Sequence, residues 1–288
     1  MTVRRLTGSA RVLTRSRYLA AVAIASVALI AVGAAADPRL LASGATTDPS
    51  GVPPPRGDLP GWRQVFVDDF TGSSLSNAWF QYDGLPGSDH GGWWSPSHDI
   101  VSGGELRLTT SPDRAVCTSA VGCRAVNNEV SGGLKMRFGQ TYGKYLVRLR
   151  AKNAHGVPIV ALLWPQTNQW PPEIDFVEDN GASPRVLNTA TVHYGSSDTQ
   201  IARTLRLNFA LWHTLGVEWS PGSVRYTIDG RVWATVVNAH VPSIPMALAL
   251  QAETFACDPL SWEQCPNAST PRRTEFDIDW VAVYARAG

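Results

Sequence analysis

From Trp62 to the C-terminus the chain is a succession of short runs in which apolar and polar residues alternate with a period of two. That period sends successive side chains to opposite faces of an extended strand, so each run predicts a half-buried strand. The alternating runs are Ile100–Val101, Glu105–Thr110, Gly132–Phe138, Gly143–Ala151, Trp212–Trp219, Val224–Trp233 and Thr274–Tyr284; Gln64–Phe70, Thr189–Tyr194 and Met246–Gln251 read as further strands and Trp79–Tyr82 as a short apolar piece. Asp229-Gly230 is a two-residue hairpin signal, so Val224–Trp233 folds back on itself. Pro158-Ile-Val-Ala-Leu-Leu-Trp164 does not alternate, and a continuous apolar run predicts a strand covered on both faces. After residue 36 no long segment carries the 3.6-residue period of an amphipathic helix. About a dozen short strands separated by turn residues predict an all-β protein, one antiparallel β-sandwich.

Two segments break the pattern. Residues 37–60 hold Asp48-Pro-Ser-Gly-Val-Pro-Pro-Pro-Arg-Gly57 and little that could build a core, which predicts a Pro-rich linker. Residues 83–98 form a long stretch rich in Gly, Pro, Asp, His and Trp, and a loop of that length in a compact domain is usually functional or a lid. The domain reading is therefore 1–36, 37–60 and 61–288, the last being the folded domain.

Residues 1–36 change the picture of charge. The chain of 288 residues has a formal charge of +1, but Arg4, Arg5, Arg11, Arg15 and Arg17 all lie in this segment, which has no acid. The remainder is mildly acidic, which removes any electrostatic case for nucleic acid or an anionic membrane as partner. The apolar run 18–36, with small residues at Ala34 and Ala36, reads as an export signal cleaved before Asp37. An uncleaved membrane anchor is the alternative. Four cysteines in an exported chain predict two disulfides, and the short turn-rich loops favour Cys117 with Cys123 and Cys257 with Cys265.

The candidate chemistry lies in Pro171-Pro172-Glu173-Ile-Asp-Phe-Val-Glu178. In a strand Glu173 and Asp175 share a face, while Glu178, five residues from Glu173, would point the other way. A β-bulge at Phe176–Val177 absorbs one residue and returns Glu178 to the same face. The two glutamates then stand roughly 13 Å apart along the backbone. Side chains leaning together approach the ~5–5.5 Å carboxyl separation of a retaining glycosidase. Trp164 and Trp170 lie just upstream, where flat apolar rings suit a sugar face.

With these residues in view the chain resembles glycoside hydrolase family 16, the jelly-roll enzymes that include laminarinases, lichenases, agarases and carrageenases. The resemblance covers roughly residues 64–285 and rests on the bulged motif Glu173-Ile-Asp-Phe-Val-Glu178. Supporting stretches are Val67-Asp-Asp-Phe-Thr-Gly72, Tyr142-Gly-Lys-Tyr145, Leu163-Trp-Pro165, Val192-His-Tyr-Gly195, Ile228-Asp-Gly230 and Asp279-Trp-Val-Ala-Val-Tyr284. It implies a concanavalin A-like jelly roll with the catalytic cleft on the concave sheet. It further implies Glu173 as nucleophile, Glu178 as acid/base and Asp175 as the orienting carboxylate between them. His193 is implied near the leaving-group sugar or Glu178. Trp170 is read as a sugar-stacking ring, Trp164 as core or subsite, and Trp94 as cleft rim or loop packing. No cofactor is required by this chemistry; Asp279 matches a position that supports a structural calcium in many members. Gly92-Trp-Trp-Ser-Pro-Ser-His98 departs from the Asn-Asn-Glu-Leu that often follows a Trp in laminarinases. The resemblance therefore supports the machinery better than it supports β-1,3-glucan as substrate.

Together these features predict an exported, monomeric, retaining endo-β-glycosidase acting on a neutral polysaccharide, a β-1,3 or mixed β-1,3/1,4 glucan. The alternatives are a non-hydrolytic carbohydrate-binding jelly roll and a transglycosylase that remodels wall glycan. The first has no need of two glutamates on one strand; the second shares every catalytic residue and differs in its products.

Overall fold

The computed structural model describes residues 48–86, 91–119, 129–254 and 262–288. In chain order the strands are β1 (Trp62–Asp68), β2 (Trp79–Gln81), β3 (Trp93–Trp94), β4 (Asp99–Ser102), β5 (Glu105–Pro112), β6 (Glu129–Ser131), β7 (Gly133–Met136), β8 (Gly143–Ala151) and β9 (Ile159–Pro165). They continue as β10 (Glu173–Glu178), β11 (Leu187–Tyr194), β12 (Thr199–Arg206), β13 (His213–Ser220), β14 (Ser223–Ile228), β15 (Arg231–Val237), β16 (Met246–Ala252) and β17 (Thr274–Arg286). One sheet runs β15-β14-β13-β8-β17-β5-β6-β3, with β1 on β17 and β4 on β5; the other runs β12-β11-β10-β9-β16-β7-β2. All pairings are antiparallel except β3 with β6. The all-β sandwich expected from the alternation is what the chain forms.

The core lies between the sheets and is built from one face of each strand. Leu108, Val147, Leu149, Val217, Trp219 and Ile278 meet Ile159, Leu163, Ile174, Phe176, Val192 and Leu248 there. Burying side chains of this size stabilises by about 1.5–3 kcal/mol each relative to leaving them in water.

Three features differ from the sequence reading. Residues 48–60 are held on the outer face of the first sheet rather than free: Trp280 Nε1 donates to the Val52 carbonyl at 2.8 Å, and Arg148 Nε to Ser50 Oγ at 3.1 Å. The run Ile159–Pro165 is covered by a second sheet on one face only. Ile159, Ala161 and Leu163 enter the core, while Val160, Leu162 and Trp164 cluster with Ala249 on the other face. Cys265 is a free thiol, so the expected Cys257–Cys265 bridge is not formed. Its segment is docked elsewhere: Gln264 N–H donates to the Asn180 carbonyl at 2.8 Å. The Cys265–Pro266 backbone also packs so closely on Gly156 that a Cβ there would lie 2.3 Å from Pro266 N. Cys117 is buried, and its expected partner Cys123 falls outside the described residues.

The export segment 1–36 also falls outside the described residues. Among those described, no helix is long and apolar enough to cross a membrane.

Candidate active site

The concave face of the β12–β2 sheet carries a cleft of about 550 Å³. Glu173, Asp175 and Glu178 all line it. They reach the same face because β10 carries a bulge. Asp175 pairs with Leu162 and Val177 with Ala161, so Phe176 is the extra residue. Phe176 and Val177 both point into the core as a result. On the other side, β10 pairs with β11 only at Glu173–His193 and Ile174–Val192. The Asn188 side chain replaces the missing ladder, accepting from Glu178 N–H at 3.1 Å and donating Nδ2 to the Phe176 carbonyl at 3.2 Å. Asn188 is fully buried, so these two bonds satisfy backbone groups that water cannot reach.

A hydrogen-bonded row crosses the carboxylates. Trp170 Nε1 donates to Glu173 Oε2 at 2.7 Å. His193 Nε2 lies 3.1 Å from Asp175 Oδ2, and His193 Nδ1 lies 2.7 Å from Asp198 Oδ1. Gln200 Nε2 donates to Asp198 Oδ2 at 2.6 Å. Burial lowers the proton affinity of His193, but hydrogen bonds and charge from Asp175 and Asp198 outweigh it and raise the imidazole to about 9. His193 is therefore an imidazolium at neutral pH, with both ring N–H groups donating.

The glutamates shift upward. Burial, then the Asp175 charge, raises Glu173, opposed by the Trp170 N–H. Burial, then the Asp175 charge, raises Glu178, opposed by the His193 charge. Glu173 has a direct donor that favours its ionised form, whereas the charge opposing the shift of Glu178 acts through space. Both glutamates are thus held above their ordinary range, and with Asp175 they take up protons as one coupled set.

Trp164, Trp170 and Trp94 all line the cleft. Trp94 packs on Tyr82 with ring centroids 4.7 Å apart, and its Nε1 donates to the Ala252 carbonyl at 3.3 Å. Gly133 makes room for this pair, since a Cβ there would lie 2.9 Å from the Tyr82 ring and 3.0 Å from Trp94 Nε1. Trp93 alternates away and packs against Cys117 and Val130. Tyr82, Lys135, Gln251 and Glu253 also line the cleft and were missed by the sequence reading. Gln251 had a readable signal, as the polar end of the otherwise apolar run Met246–Gln251.

Asp279 stands apart from the cleft, on the face where residues 48–60 lie. Its Oδ2 accepts from Ser50 N–H at 3.2 Å, and the Arg148 guanidinium supplies positive charge nearby. The Asp48 carboxylate also lies close enough to raise the proton affinity of Asp279. Among the described residues the one trio of His, Cys, Asp or Glu side chains close enough to hold a metal is Glu173, Asp175 and His193. The same three side chains are tied into the hydrogen-bonded row through Trp170 and Asp198.

The comparisons agree with this geometry. The model of the family described as Glycosyl hydrolases family 16 matches residues 88–282, well over half the chain. The endo-1,3-1,4-beta-glycanase ExsH of Rhizobium meliloti (strain 1021) is 28% identical over 259 residues, covering 77% of this chain and 51% of that protein. EglC, an endo-1,3-1,4-beta-glycanase of the same organism, is 28% identical over 207 residues, covering 62% and 43%. The chain thus spans about half the length of these relatives. Among solved structures, the laminarinase catalytic domain of Thermotoga petrophila RKU-1 superposes with a TM-score of 0.67 at 18% identity, covering 79% of this chain and 99% of that one. The endo-beta-1,3-glucanase of Pyrococcus furiosus gives 0.66 at 21%, covering 82% and 100%. At such identities these two speak for the fold alone. The family match, carried by a bulged strand that presents Glu173, Asp175 and Glu178 to one cleft, shows that the chain belongs to glycosyl hydrolases family 16.

Proposed function

We propose that this chain is an exported endo-β-glycosidase that cleaves a neutral β-1,3 or mixed β-1,3/1,4 glucan with retention of configuration. The observation that supports it most is the row of Glu173, Asp175 and Glu178 on one cleft face, with a direct N–H donor on Glu173 and Glu178 pushed upward by burial and the Asp175 charge. Glu173 attacks the anomeric carbon while Glu178 gives its proton to the departing glycosidic oxygen. The bond to the leaving sugar breaks as the bond to Glu173 forms. Glu178, now a carboxylate, takes a proton from water, whose oxygen displaces Glu173 and restores both groups. Two inversions at one carbon keep its configuration. Asp175 orients Glu173 and holds the proton on Glu178 by its charge.

The cleft lining favours a neutral chain. Glu253 adds a fourth carboxyl, against Lys135 and the His193 imidazolium, so uronic or sulfated polymers meet net repulsion. The mixed linkage draws support from the relatives, both named endo-1,3-1,4-beta-glycanases. Val160, Leu162 and Trp164 give the cleft an apolar floor suited to sugar rings. Export, with residues 1–36 removed or retained as an anchor, and action as a monomer belong to the same proposal.

The test is a panel of laminarin, lichenan, agarose, carrageenan and xyloglucan with sized products, run on the wild type and Glu173→Ala. Glucan should be cut to oligosaccharides by the wild type alone, and azide should restore turnover to the variant as a glycosyl azide of inverted configuration. Wild-type rates in Glu173→Ala would overturn the assignment. Binding without any cleavage by the wild type would leave a carbohydrate-binding module, and larger products than substrates a transglycosylase.

A further inference from the structure

Asp198 lies at the end of the turn that joins β11 to β12, its N–H donating to the Gly195 carbonyl at 3.1 Å. It adopts a left-handed conformation with φ 49°, which Asp tolerates better than most residues. From there its carboxylate uses both oxygens, one on His193 Nδ1 at 2.7 Å and one on Gln200 Nε2 at 2.6 Å. Glu173, His193 and Gln200 are successive cross-strand neighbours on β10, β11 and β12. Asp198 thus closes the outer end of a row whose inner end is the carboxylate trio.

The geometry has a charge consequence. A neutral imidazole with its proton on Nε2 would satisfy Asp175 alone. A carboxylate on Nδ1 as well requires both ring protons and so a cation. The groups facing the ring are Asp175, Glu173 and Glu178 from β10, Asp198 from the turn, Gln200 from β12 and the Trp170 indole, its centroid 6.0 Å away. Of these, Asp198 is the carboxylate bonded to Nδ1 and stands outside the trio, on the turn between β11 and β12 rather than on β10.

We propose that Asp198 is a positioning residue: through His193 it pins a positive charge against Asp175 and so sets the charge balance of the carboxylate row. The role in turnover rests on the reading of that row as the hydrolytic site; the pinned charge itself does not. Gln200 assists by fixing the second Asp198 oxygen.

The experiment titrates the intact chain, labelled with ¹⁵N-histidine, and compares the wild type with Asp198→Asn and Asp198→Ala. Asn keeps the size and the acceptor oxygen and loses only the charge. The His193 midpoint should fall by about one pH unit or more in both variants, the usual effect of removing an adjacent opposite charge. The basic limb of kcat/KM should move to higher pH, because the His193 charge is given up earlier on that limb and so favours the ionised form of Glu178 less. If His193 titrates as in the wild type in both variants, the inference is wrong, and a loss of activity in them would then be structural. If the His193 midpoint falls while the wild type cleaves no glucan, the pinned charge stands and the hydrolytic reading fails.

Discussion

Trp170→Phe isolates one hydrogen bond. Phe keeps a flat ring in the cleft but cannot donate to Glu173 Oε2, now 2.7 Å from the indole nitrogen. A hydrogen bond to a charged group contributes about 1.5–3 kcal/mol, and one pH unit corresponds to about 1.4 kcal/mol. The indole is 47% exposed, so water substitutes in part for the lost donor and the lower end applies. The donor favours the ionised carboxylate, so its loss raises Glu173 further. A nucleophile must be ionised, so the acidic limb of kcat/KM should move up by about one pH unit. Below that limb the variant is then about tenfold slower, while at the plateau it keeps pace, since a carboxylate without a donor is no weaker a nucleophile. The assay is a pH–rate profile on a soluble oligosaccharide, with Trp170→Ala as the control that removes the ring and raises KM. An acidic limb that stays in place in Trp170→Phe, with KM alone affected, would reduce Trp170 to a stacking surface and refute the electrostatic reasoning.

Two further outcomes concern β10 and the β11 side chain that pairs with it. Glu178 is held above its ordinary value, so the native state binds its proton more tightly than the unfolded chain, and stability present at low pH is lost as pH rises through the folded value. Glu178→Gln should therefore melt above the wild type at neutral pH and match it near about pH 4, as read by circular dichroism. An unchanged melting temperature at every pH would show that the carboxyl is instead well solvated. Asn188→Ala leaves Glu178 N–H and the Phe176 carbonyl without their partner, and should cost about 1–3 kcal/mol for each group left unpaired. Urea denaturation measures it, and an unchanged midpoint would mean that another group takes over both bonds.

The active strand was legible because its chemistry and its geometry share one signal. A spacing of five between Glu173 and Glu178, in a segment whose remaining residues apart from Asp175 are apolar, places both on one face only if one residue is absorbed, and Phe176 is that residue. The apolar run of β9 was legible as a strand but not as a cleft floor. A face against sugar rings and a face against a second sheet demand the same apolar side chains, so Val160 and Leu162 look like core until the cleft is seen. Strand β12 left no usable trace. It is an edge strand, and Thr199-Gln-Ile-Ala-Arg-Thr-Leu-Arg206 is largely exposed on both faces, so no period survives. With it went Asp198 and Gln200. The helix Arg114–Ser119 was missed for want of length, although Asp113 caps it, accepting from Ala115 N–H at 2.9 Å and Val116 N–H at 3.1 Å. Tyr82, Lys135, Gln251 and Glu253 are single side chains brought to one cleft by three well-separated segments, and no local pattern could gather them.

Three carboxyls on one buried face oppose folding, and the surroundings of β10 show how that opposition is met. Three apolar residues of the strand, Ile174, Phe176 and Val177, are fully buried in the sandwich core, a stabilisation of about 1.5–3 kcal/mol apiece. The bulge that brings Glu178 round would strand two backbone groups, and Asn188 pairs both. The charge is handled separately: His193 supplies one positive charge and Trp170 one donor, and the remaining excess raises the proton affinity of both glutamates. A proton on Glu178 is what the proposed reaction spends in its first step and recovers in its second. The same burial and repulsion that work against the fold therefore raise the proton affinity that the acid step needs. A row of uncharged amides would be more stable and could neither attack nor give up a proton.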